Sequence, residues 1–339
     1  MPTNILISSA GRRVGLLEAF RDSLSALGLT GRLIAVDATD QAAAGEIADA
    51  FYLVPRCDDP LFIPKIKEIC EAEHVGLIVP TIDTELRPYA AAREAFRREG
   101  TAVGISDPRT IAICEDKMLT HQWLVENGFP APRQSVPGDV ARNPSEWNFP
   151  VVIKPRNGSA SSGFKVIKSV DDLHSVSCDN SMILQEFIQG KEFTVNVFIN
   201  RHGQCLCAVP HYRIEVRAGE VSKGVTTRDT VMMELVRNLV EALPGAYGAM
   251  NVQCFLTPRD EIRIIEINAR FGGGYPLAHQ AGATISRWLL EESLGLDPRG
   301  PFDTWQDGVV MLRYDQAVFL RQGKSRARTI DHAPSVHSF

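Results

Sequence analysis

The sequence contains no apolar run close to the roughly 18 residues that a membrane span needs. Its formal net charge is −5, so overall electrostatics provides no attraction for nucleic acid or for an anionic membrane surface. The N-terminus enters a predicted strand directly, without the charged and apolar regions of a secretion signal. These absences predict a cytoplasmic protein that has neither a membrane nor a nucleic-acid partner.

The seven cysteines and eight histidines also lack the spacing of a zinc site. The sequence has no Cys-x-x-Cys pair and no His-x-x-x-His pair, so a zinc enzyme is not expected and the cysteines are predicted to be reduced core residues. Hydrophobic residues make up 44% of the chain and charged residues 23%, which is typical of a globular protein. The length of 339 residues is enough for two or three subdomains with cores of their own.

The first hundred residues alternate short Val/Ile/Leu runs with amphipathic helical segments. The predicted strands are 4–8, 32–37, 75–80 and 101–105, and the predicted helices are 14–27, 61–73 and 85–99. Short apolar strands between helices of this length are typical of a parallel sheet covered on both faces. An open α/β domain is therefore predicted for residues 1–112.

The pattern changes after Asp107 and Pro108, a good N-cap and first helical residue, which open a predicted helix to Asn127. Residues 137–148 are predicted as loop. Antiparallel strands joined by turns are predicted further on, between 151 and 188 and between 192 and 227, followed by a helix at 230–243, a hairpin and two helices. Residues 301–339 are weakly patterned and are treated as a C-terminal extension.

A glycine-containing turn follows the first predicted strand, where a dinucleotide-binding fold places its phosphate loop. Only Gly11 and Gly15 are present, so the turn is not Gly-x-Gly-x-x-Gly, and the chain has no P-loop Gly-Lys-Ser/Thr. Arg12 and Arg13 are able to hold an anion at a helix N-terminus, and a plain turn with solvated arginines is equally consistent. Asp37 ends the second strand, and a dehydrogenase remains a weaker alternative.

Two lysines are placed where phosphate groups would explain them. Lys154 closes the apolar strand 151–155, and an unpaired buried ammonium is costly unless it faces an anion. Lys117 lies at the start of a helix. The loop 157–163 is rich in small residues and hydroxyls, including Ser159, Ser161, Ser162 and Gly163. Its backbone N–H groups are suited to a triphosphate, although each of these features alone is also typical of a solvated surface.

A strand that ends in Gln185-Glu186-Phe187-Ile188 offers main-chain donors and acceptors beside apolar side chains, as an adenine requires. Glu192 follows across a turn and is able to accept hydrogen bonds from ribose hydroxyls.

The hairpin between residues 251 and 270 carries the most specific pattern. A two-residue loop at 259–260 places Gln253 opposite Glu266, and strand alternation puts Asn268 on the same face, with Ile265 and Ile267 directed into the core. The three oxygen-bearing side chains are ligands of the kind that Mg²⁺ accepts together with phosphate oxygens. A polar patch on a solvent face is the simpler alternative.

With these motifs taken together, the chain resembles the ATP-grasp superfamily, in particular single copies of the carbamoyl-phosphate-synthase large-subunit type and carboxylate–amine ligases. The resemblance implies a pre-ATP-grasp open parallel sheet, then a two-lobed α+β ATP-grasp domain with a small lid subdomain at 113–188 and a C-terminal subdomain at 189–300. It implies ATP and Mg²⁺, with Mn²⁺ as the alternative metal, held as cofactors.

The resemblance also implies roles for residues at the matching positions. Lys117 and Lys154 contact phosphates under the 157–163 loop, Glu186 and Ile188 bind adenine, and Glu192 binds ribose. The metal ligands are Gln253, Glu266 and Asn268, and Arg270 steadies the transferred phosphoryl group. Phe271-Gly-Gly-Gly274 replaces the Glu-bearing segment of biotin-dependent carboxylases, which resembles amino-acid ligases in which the glycines leave room for substrate.

The predicted activity is ATP-dependent ligation, in which a carboxylate becomes an acyl-phosphate and is then joined to an amine or similar nucleophile. Candidate substrate residues are Arg213, Lys223, Arg228 and Gly273, although a solvated sheet face explains the first three equally well. A small-molecule kinase and a non-catalytic nucleotide-binding protein are the alternatives. A homodimer is left open.

Overall fold

The computed structural model describes residues 3–158, 163–174, 179, 181–321 and 323–328. The chain divides into two compact units, the first formed by residues up to Gly104 together with those from Asp315 onward, and the second by Ile105–Tyr314. The first unit therefore ends before the predicted boundary at residue 112. Within the described ranges, none of the helices is both long enough and apolar enough to cross a membrane.

The first unit contains the predicted open parallel sheet. Its elements are β1 (Asn4–Ile7), α1 (Val14–Ala26), β2 (Leu33–Asp37), α2 (Ala43–Ile47), β3 (Ala50–Leu53), α3 (Phe62–Ala72), β4 (Val75–Val79), α4 (Leu86–Arg98) and β5 (Ala102–Val103). The strand order is β3-β2-β1-β4-β5, and every pairing is parallel. The sequence analysis missed α2 and β3, because a five-residue helix and a four-residue strand are too short to show a clear period.

The C-terminal segment returns to this first unit. Arg328 forms a parallel bridge with Tyr52, and the Leu53 N–H donates to the Arg328 carbonyl at 3.0 Å, so the segment covers the free edge of β3. The buried carboxylate of Glu46 accepts from the Ser325 hydroxyl at 2.6 Å and from the Arg326 N–H at 2.9 Å. Residues 301–339, predicted as a C-terminal extension, therefore include a segment that pairs with the first unit. Backbone pairing with a distant edge strand leaves no periodic signal in so short a segment.

The second unit begins with the small lobe. Its elements are α5 (Pro108–Glu115), α6 (Lys117–Glu126), β6 (Gln134–Ser135), α7 (Pro137–Arg142), β7 (Val151–Pro155), β8 (Lys165–Ile167), α8 (Val170–His174) and β9 (Met182–Glu186). The four strands form an antiparallel sheet in the order β6-β9-β7-β8. Val140, Ile153, Leu173 and Leu184 belong to the hydrophobic core beneath it.

Two local predictions for this lobe are wrong. The single helix from Asp107 to Asn127 is broken at Asp116, whose backbone is extended and whose carboxylate accepts from the Met118 N–H at 2.9 Å to start α6. An Asp side chain that caps a new helix outweighs the continuous helical pattern. The segment 137–148 was predicted as loop but contains α7, which begins at Pro137.

The large lobe is built on a six-stranded antiparallel sheet. Its elements are β10 (Lys191–Ile199), β11 (Cys205–Arg217), β12 (Glu220–Thr226), α9 (Thr230–Ala242), β13 (Gly248–Leu256), β14 (Ile262–Asn268), α10 (Tyr275–Gln280), α11 (Ile285–Ser293) and β15 (Val310–Leu312). The strand order is β14-β13-β10-β11-β12-β15. Because β15 pairs with β12, the large lobe extends beyond the predicted limit at residue 300.

The two faces of this sheet differ sharply. One face carries apolar side chains such as Val195, Val197 and Val252, and α9 and α11 pack against strands of the sheet. The strands alternate, so the opposite face carries the residues between these, including Thr194, Asn196 and Asn251. A buried polar face is unusual, because each of its groups needs a hydrogen-bonding partner.

We expect Glu46→Ala to release the C-terminal segment from the first unit. The substitution removes the acceptor of the Arg326 N–H and the shorter of the two hydrogen bonds of the Ser325 hydroxyl, at a cost of about 1–3 kcal/mol. Limited trypsin digestion followed by mass spectrometry should show faster cleavage after Arg321 and Lys324. Glu94→Ala is the matched control, because its pairs with Arg97 and Arg98 are exposed, and its cleavage rate should equal that of the wild type. Equal rates for both variants would contradict the observed docking.

Candidate active site

A cavity of about 480 Å³ lies within the second unit, between β7 and β9 of the small lobe and β13 and β14 of the large lobe. This volume is in the range of small-molecule binding sites. Nine of the predicted site residues line it: Lys117, Lys154, Gln185, Glu186, Phe187, Ile188, Glu192, Gln253 and Glu266. Ser159, Ser161 and Ser162, which were predicted to close over the phosphates, lie outside the described residues.

Lys154 is held at the end of β7, where the apolar strand carries it into the cavity. Its ammonium donates to the Gln185 Oε1 at 3.1 Å. Burial lowers the pKa of Lys154 to about 8, and the nearby positive charge of Lys117 acts in the same direction, whereas the carboxylate of Glu266 opposes the shift. A cation held at this cost is suited to a polyanionic ligand.

A chain of two glutamines connects Lys154 to the backbone of Lys117. Gln185 donates through its amide nitrogen to the Gln134 Oε1 at 2.9 Å, and Gln134 donates to the Lys117 carbonyl at 2.8 Å. The ammonium at one end only donates and the carbonyl at the other end only accepts, so the direction of each amide is set. The sequence analysis missed Gln134, which has no motif of its own.

Lys117 contacts the start of the 157–163 loop. Its ammonium donates to the Gly158 carbonyl at 2.7 Å, and its backbone N–H donates to the Arg156 carbonyl at 3.1 Å. Arg156 also forms an ion pair with Asp116, the N-cap of α6. Gly163 has a φ of +73°, and a Cβ there would lie 3.0 Å from Pro155, so only glycine fits this end of the loop.

The opposite end of the cavity is apolar and flanked by main chain. The carboxylate of Glu186 accepts from the Arg133 N–H at 3.2 Å, while Phe187 remains 40% exposed beside it. The sequence analysis missed four apolar residues of the walls, namely Val152, Phe164, Phe255 and Ile265. Two of them could have been predicted from strand alternation, because Val152 and Phe255 lie two residues from Lys154 and Gln253 on the same strands.

Glu192 and Arg213 are neighbours on the polar face of the large sheet. The Arg213 Nε lies 3.3 Å from the Glu192 Oε1, and Arg213 also donates to the Gly219 carbonyl at 3.0 Å. Burial raises the pKa of Glu192, against the opposing effect of the Arg213 guanidinium. The arginine therefore helps to keep a half-buried carboxylate charged within the cavity.

The predicted pairing of Gln253 with Glu266 is confirmed, although the predicted turn is wrong. The Thr257 N–H donates to the Glu261 carbonyl across a three-residue loop in which Asp260 has a φ of 59°. This loop shifts the register by one residue, and a bulge at Ile265 shifts it back before Glu266. Ile265 consequently lines the cavity instead of pointing into the core as predicted.

Asn268 and Arg270 follow Glu266 along the same strand and its continuation. Asn268 lies opposite Asn251, and the Arg270 Nη2 donates to the Asn268 Oδ1 at 3.0 Å. Neither residue lines the cavity as it stands.

The side chains of Gln253, Glu266 and Asn268 suit a hard cation. The described residues contain no group of three His, Cys, Asp or Glu side chains able to hold a metal ion. A cation here would therefore take one carboxylate and two amide oxygens, a set of neutral and charged oxygens that Mg²⁺ accepts when phosphates complete the shell. A site of this kind is weak without the nucleotide.

Three predicted substrate residues have other partners. The Lys223 ammonium contacts Glu215 at 2.6 Å on the surface. The Arg228 guanidinium lies 4.1 Å from the Trp305 ring centroid and donates to the Trp305 carbonyl at 2.6 Å. The backbone carbonyl of Gly273 accepts from Arg313.

The sequence analysis expected the glycines of the 271–274 segment to leave room for substrate, but this space is filled by other side chains of the protein. A Cβ at Gly273 would lie 2.5 Å from the Glu220 side chain, and one at Gly274 would lie 2.7 Å from the His211 ring. Glycine is needed here because the backbone packs directly against the partly buried Glu220 and the buried His211.

The glycine-containing turn of the first unit uses its own polar groups. The Asp37 carboxylate accepts from the Gly11 N–H at 2.8 Å and from the Thr39 N–H at 3.1 Å. An acid used in this way is a poor ribose ligand, which weakens the dehydrogenase alternative.

A parallel-sheet unit, followed by two antiparallel lobes that share a cavity with cationic and oxygen-bearing walls, defines the ATP-grasp class of nucleotide-binding proteins. Comparison with family models agrees. Residues 114–274 match the ATP-grasp domain, and residues 5–104 match the PylC-like N-terminal domain. These matches make the chain similar to ATP-grasp proteins within its second unit and to PylC-like proteins within its first.

Two curated relatives are similar in sequence to part of the chain. Carbamoyl-phosphate synthase of Methanobrevibacter smithii is 25% identical over 257 residues, which cover 71% of this chain and 68% of the relative. D-Alanine–D-alanine ligase of Lacticaseibacillus casei is 27% identical over 239 residues, which cover 63% of this chain and 62% of the relative. The solved biotin carboxylase–β,γ-ATP complex from Campylobacter jejuni has a TM-score of 0.70 at 18% identity and covers 88% of this chain and 72% of that chain. The structural match supports the fold.

The shifted pKa of Lys154 predicts that ATP affinity depends on pH. The ammonium is present below a pH of about 8 and is lost above it, and a bound triphosphate favours the charged form. We expect the affinity for ATP to fall about tenfold between about pH 7 and about pH 9, with proton uptake on binding near the upper end. Isothermal titration calorimetry in buffers of different ionisation enthalpy measures both effects.

Lys154→Arg provides the control, because its guanidinium stays charged over this range and should flatten the pH dependence. Lys191→Arg, a lysine above the Tyr212 ring, should keep the wild-type dependence. A pH dependence of the ATP affinity that persists in Lys154→Arg would show that a group other than Lys154 titrates.

Proposed function

We propose that this protein is a magnesium- and ATP-dependent ligase that activates a carboxylate as an acyl-phosphate and joins it to an amine or similar nucleophile. The observation that carries the proposal is the cavity in which Lys117 and Lys154 face Gln253 and Glu266. Cations on one wall and oxygen ligands on the other are the arrangement that a metal-bound triphosphate needs.

The residues present account for most of what phosphoryl transfer requires. Bound Mg²⁺ would supply charge neutralisation at the phosphates, held by Gln253, Glu266 and Asn268. Lys117 and Lys154 add positive charge from the small lobe, and Arg270 is placed beside Asn268 to stabilise charge on the transferred group. The 157–163 loop would exclude water, which would otherwise hydrolyse an acyl-phosphate.

The choice of a carboxylate and an amine rests on similarity to ligases. D-Alanine–D-alanine ligase is among the relatives, and its name describes the joining of two amino acids. The Phe271-Gly-Gly-Gly274 segment differs from the Glu-bearing segment of biotin-dependent carboxylases, which disfavours bicarbonate as the substrate. A small-molecule substrate pair and a cytoplasmic location are parts of the same proposal, and homodimer formation stays open.

Glu266→Gln should abolish substrate-stimulated ADP formation. The substitution removes the one carboxylate of the proposed metal set and keeps its volume, so we expect a loss of at least about a hundredfold in kcat. ADP release is measured with Mg²⁺, ATP and a panel of amino acids, hydroxy acids and amines. Glu261→Gln, an exposed residue of the same hairpin, is the control and should retain full activity.

The products of this assay decide between two chemistries. A joined acid and amine would support the ligase, whereas a stable phosphorylated substrate would show a kinase. ATP binding without stimulation by any substrate pair would favour a non-catalytic nucleotide-binding protein. No ATP binding at all would contradict the proposal.

Of the two arginines among the candidate substrate residues, Arg213 and Arg228, we propose that Arg213 binds the acid substrate. Its side chain is only 6% exposed and faces the cavity residue Glu192, whereas Arg228 is held against Trp305. Arg213→Ala should raise the KM for the acid on the order of tenfold, because a charged hydrogen bond is lost. Arg228→Ala should leave that KM unchanged and lower the melting temperature. A change confined to the KM for ATP would show that Arg213 acts through Glu192 instead.

A further inference from the structure

A closed ring of hydrogen bonds lies at the end of β14, next to the proposed metal ligands. The Asn251 amide nitrogen donates to the Arg270 carbonyl at 3.0 Å. The Asn268 amide nitrogen donates to the Asn251 Oδ1 at 3.3 Å, and the Arg270 Nη2 donates to the Asn268 Oδ1 at 3.0 Å. Asn251 and Asn268 are both buried, so these bonds are not shared with bulk water.

The ring has a single direction. The Arg270 carbonyl accepts and never donates, so the Asn251 amide must present its nitrogen there. The Asn251 oxygen therefore faces Asn268, whose amide nitrogen must donate to it. The Asn268 oxygen is then left on the opposite side, where the Arg270 guanidinium, a pure donor, confirms the same orientation. Each amide could be reversed only by breaking a bond at both ends.

We propose that Asn251 is a positioning residue that selects which end of the Asn268 amide is offered to the metal. Within the ring, Asn251 is hydrogen-bonded both to Asn268 and to the backbone of Arg270. Without it, only the bond from Arg270 opposes a turn of the Asn268 side chain that would direct its N–H₂ group, which repels a positive charge, toward the cation. The inference rests on the proposed function, because it assumes that Asn268 is a metal ligand.

The ring also links two parts of the site. The carbonyl of Arg270 is held against β13 by Asn251, so the chain cannot leave the sheet face immediately after Asn268. Gly272 continues this close approach, since a Cβ there would lie 3.2 Å from the Asn251 side chain. A side chain that orients a ligand in this way typically changes metal affinity about 10- to 100-fold when it is removed.

A double-mutant cycle with Asn268→Asp tests the orientation directly. An aspartate presents oxygen at both ends, so it needs no neighbour to choose the correct one. Asn251→Ala should weaken Mn²⁺ binding in the presence of ADP about 10- to 100-fold in the wild-type background. In the Asn268→Asp background the same substitution should cost less than about threefold. Electron paramagnetic resonance of free Mn²⁺ measures binding without any turnover.

Asn196→Ala is the matched control. Asn196 lies directly opposite Asn251 on β10, is also 2% exposed, and pairs with the His211 ring instead of the metal ligands. It should lower stability while leaving Mn²⁺ affinity within about threefold of the wild type. If Asn251→Ala does not fold, Asn251→Ser replaces it, because one hydroxyl cannot bridge both partners.

Equal losses in the two backgrounds would overturn the inference, because they would show only a structural role for Asn251. No loss in either background would overturn it as well. A wild-type protein that takes up no Mn²⁺ with ADP would contradict the proposed function and, with it, the role of Asn268. Normal wild-type binding combined with equal losses would contradict the role of Asn251 alone.

Discussion

The arrangement of the site depends on the pairing of β13 with β14. Seven residues of β14 run beside β13, and one extra residue at Ile265 restores the register that the three-residue loop displaced. A shift of one residue in a strand turns every side chain to the other face. Without the bulge, Glu266 would point into the apolar core and Gln253 would lose its neighbour. The positions of the proposed metal ligands, of Arg270 and of the hydrogen-bonded ring all follow from this register.

The polar face of the large sheet is stable because its groups bind one another. Asn196 pairs with His211, Asn251 with Asn268, and Arg213 with Glu192. Burial together with Arg213 and Arg313 lowers the pKa of His211 to about 3, so this ring is neutral and adds no charge to the face. The glycines at 272–274 let the backbone lie directly over these side chains. A sheet face of this kind is preorganised for ligand charge, and its buried His211 Nε2 and Arg213 Nε have no hydrogen-bond partner among the described residues.

The small lobe contributes a different physical element, namely positive charge held away from water. The glutamine chain orients the Lys154 ammonium and ends on the Lys117 backbone, and burial weakens the charged form of Lys154 before any ligand binds. An anion that enters the cavity recovers part of that cost. The two lobes thus supply complementary charges, which supports the proposed nucleotide–metal complex as the ligand.

The sequence alone was enough for elements whose pattern is long and local. The parallel sheet of the first unit and the strand that carries Lys154 follow from apolar runs and strand alternation, which are properties of neighbouring residues. The pairing of Gln253 with Glu266 was predicted from a two-residue loop, and it holds because the bulge offsets the third loop residue. The tertiary structure decided the break at Asp116, the bulge at Ile265, the return of residues 325–328 to β3, and the ring around Asn251. The return of residues 325–328 depends on pairing between segments far apart in the chain, whereas the break, the bulge and the ring depend on a few local hydrogen bonds or one extra residue. None of these contacts leaves a periodic signal in the sequence.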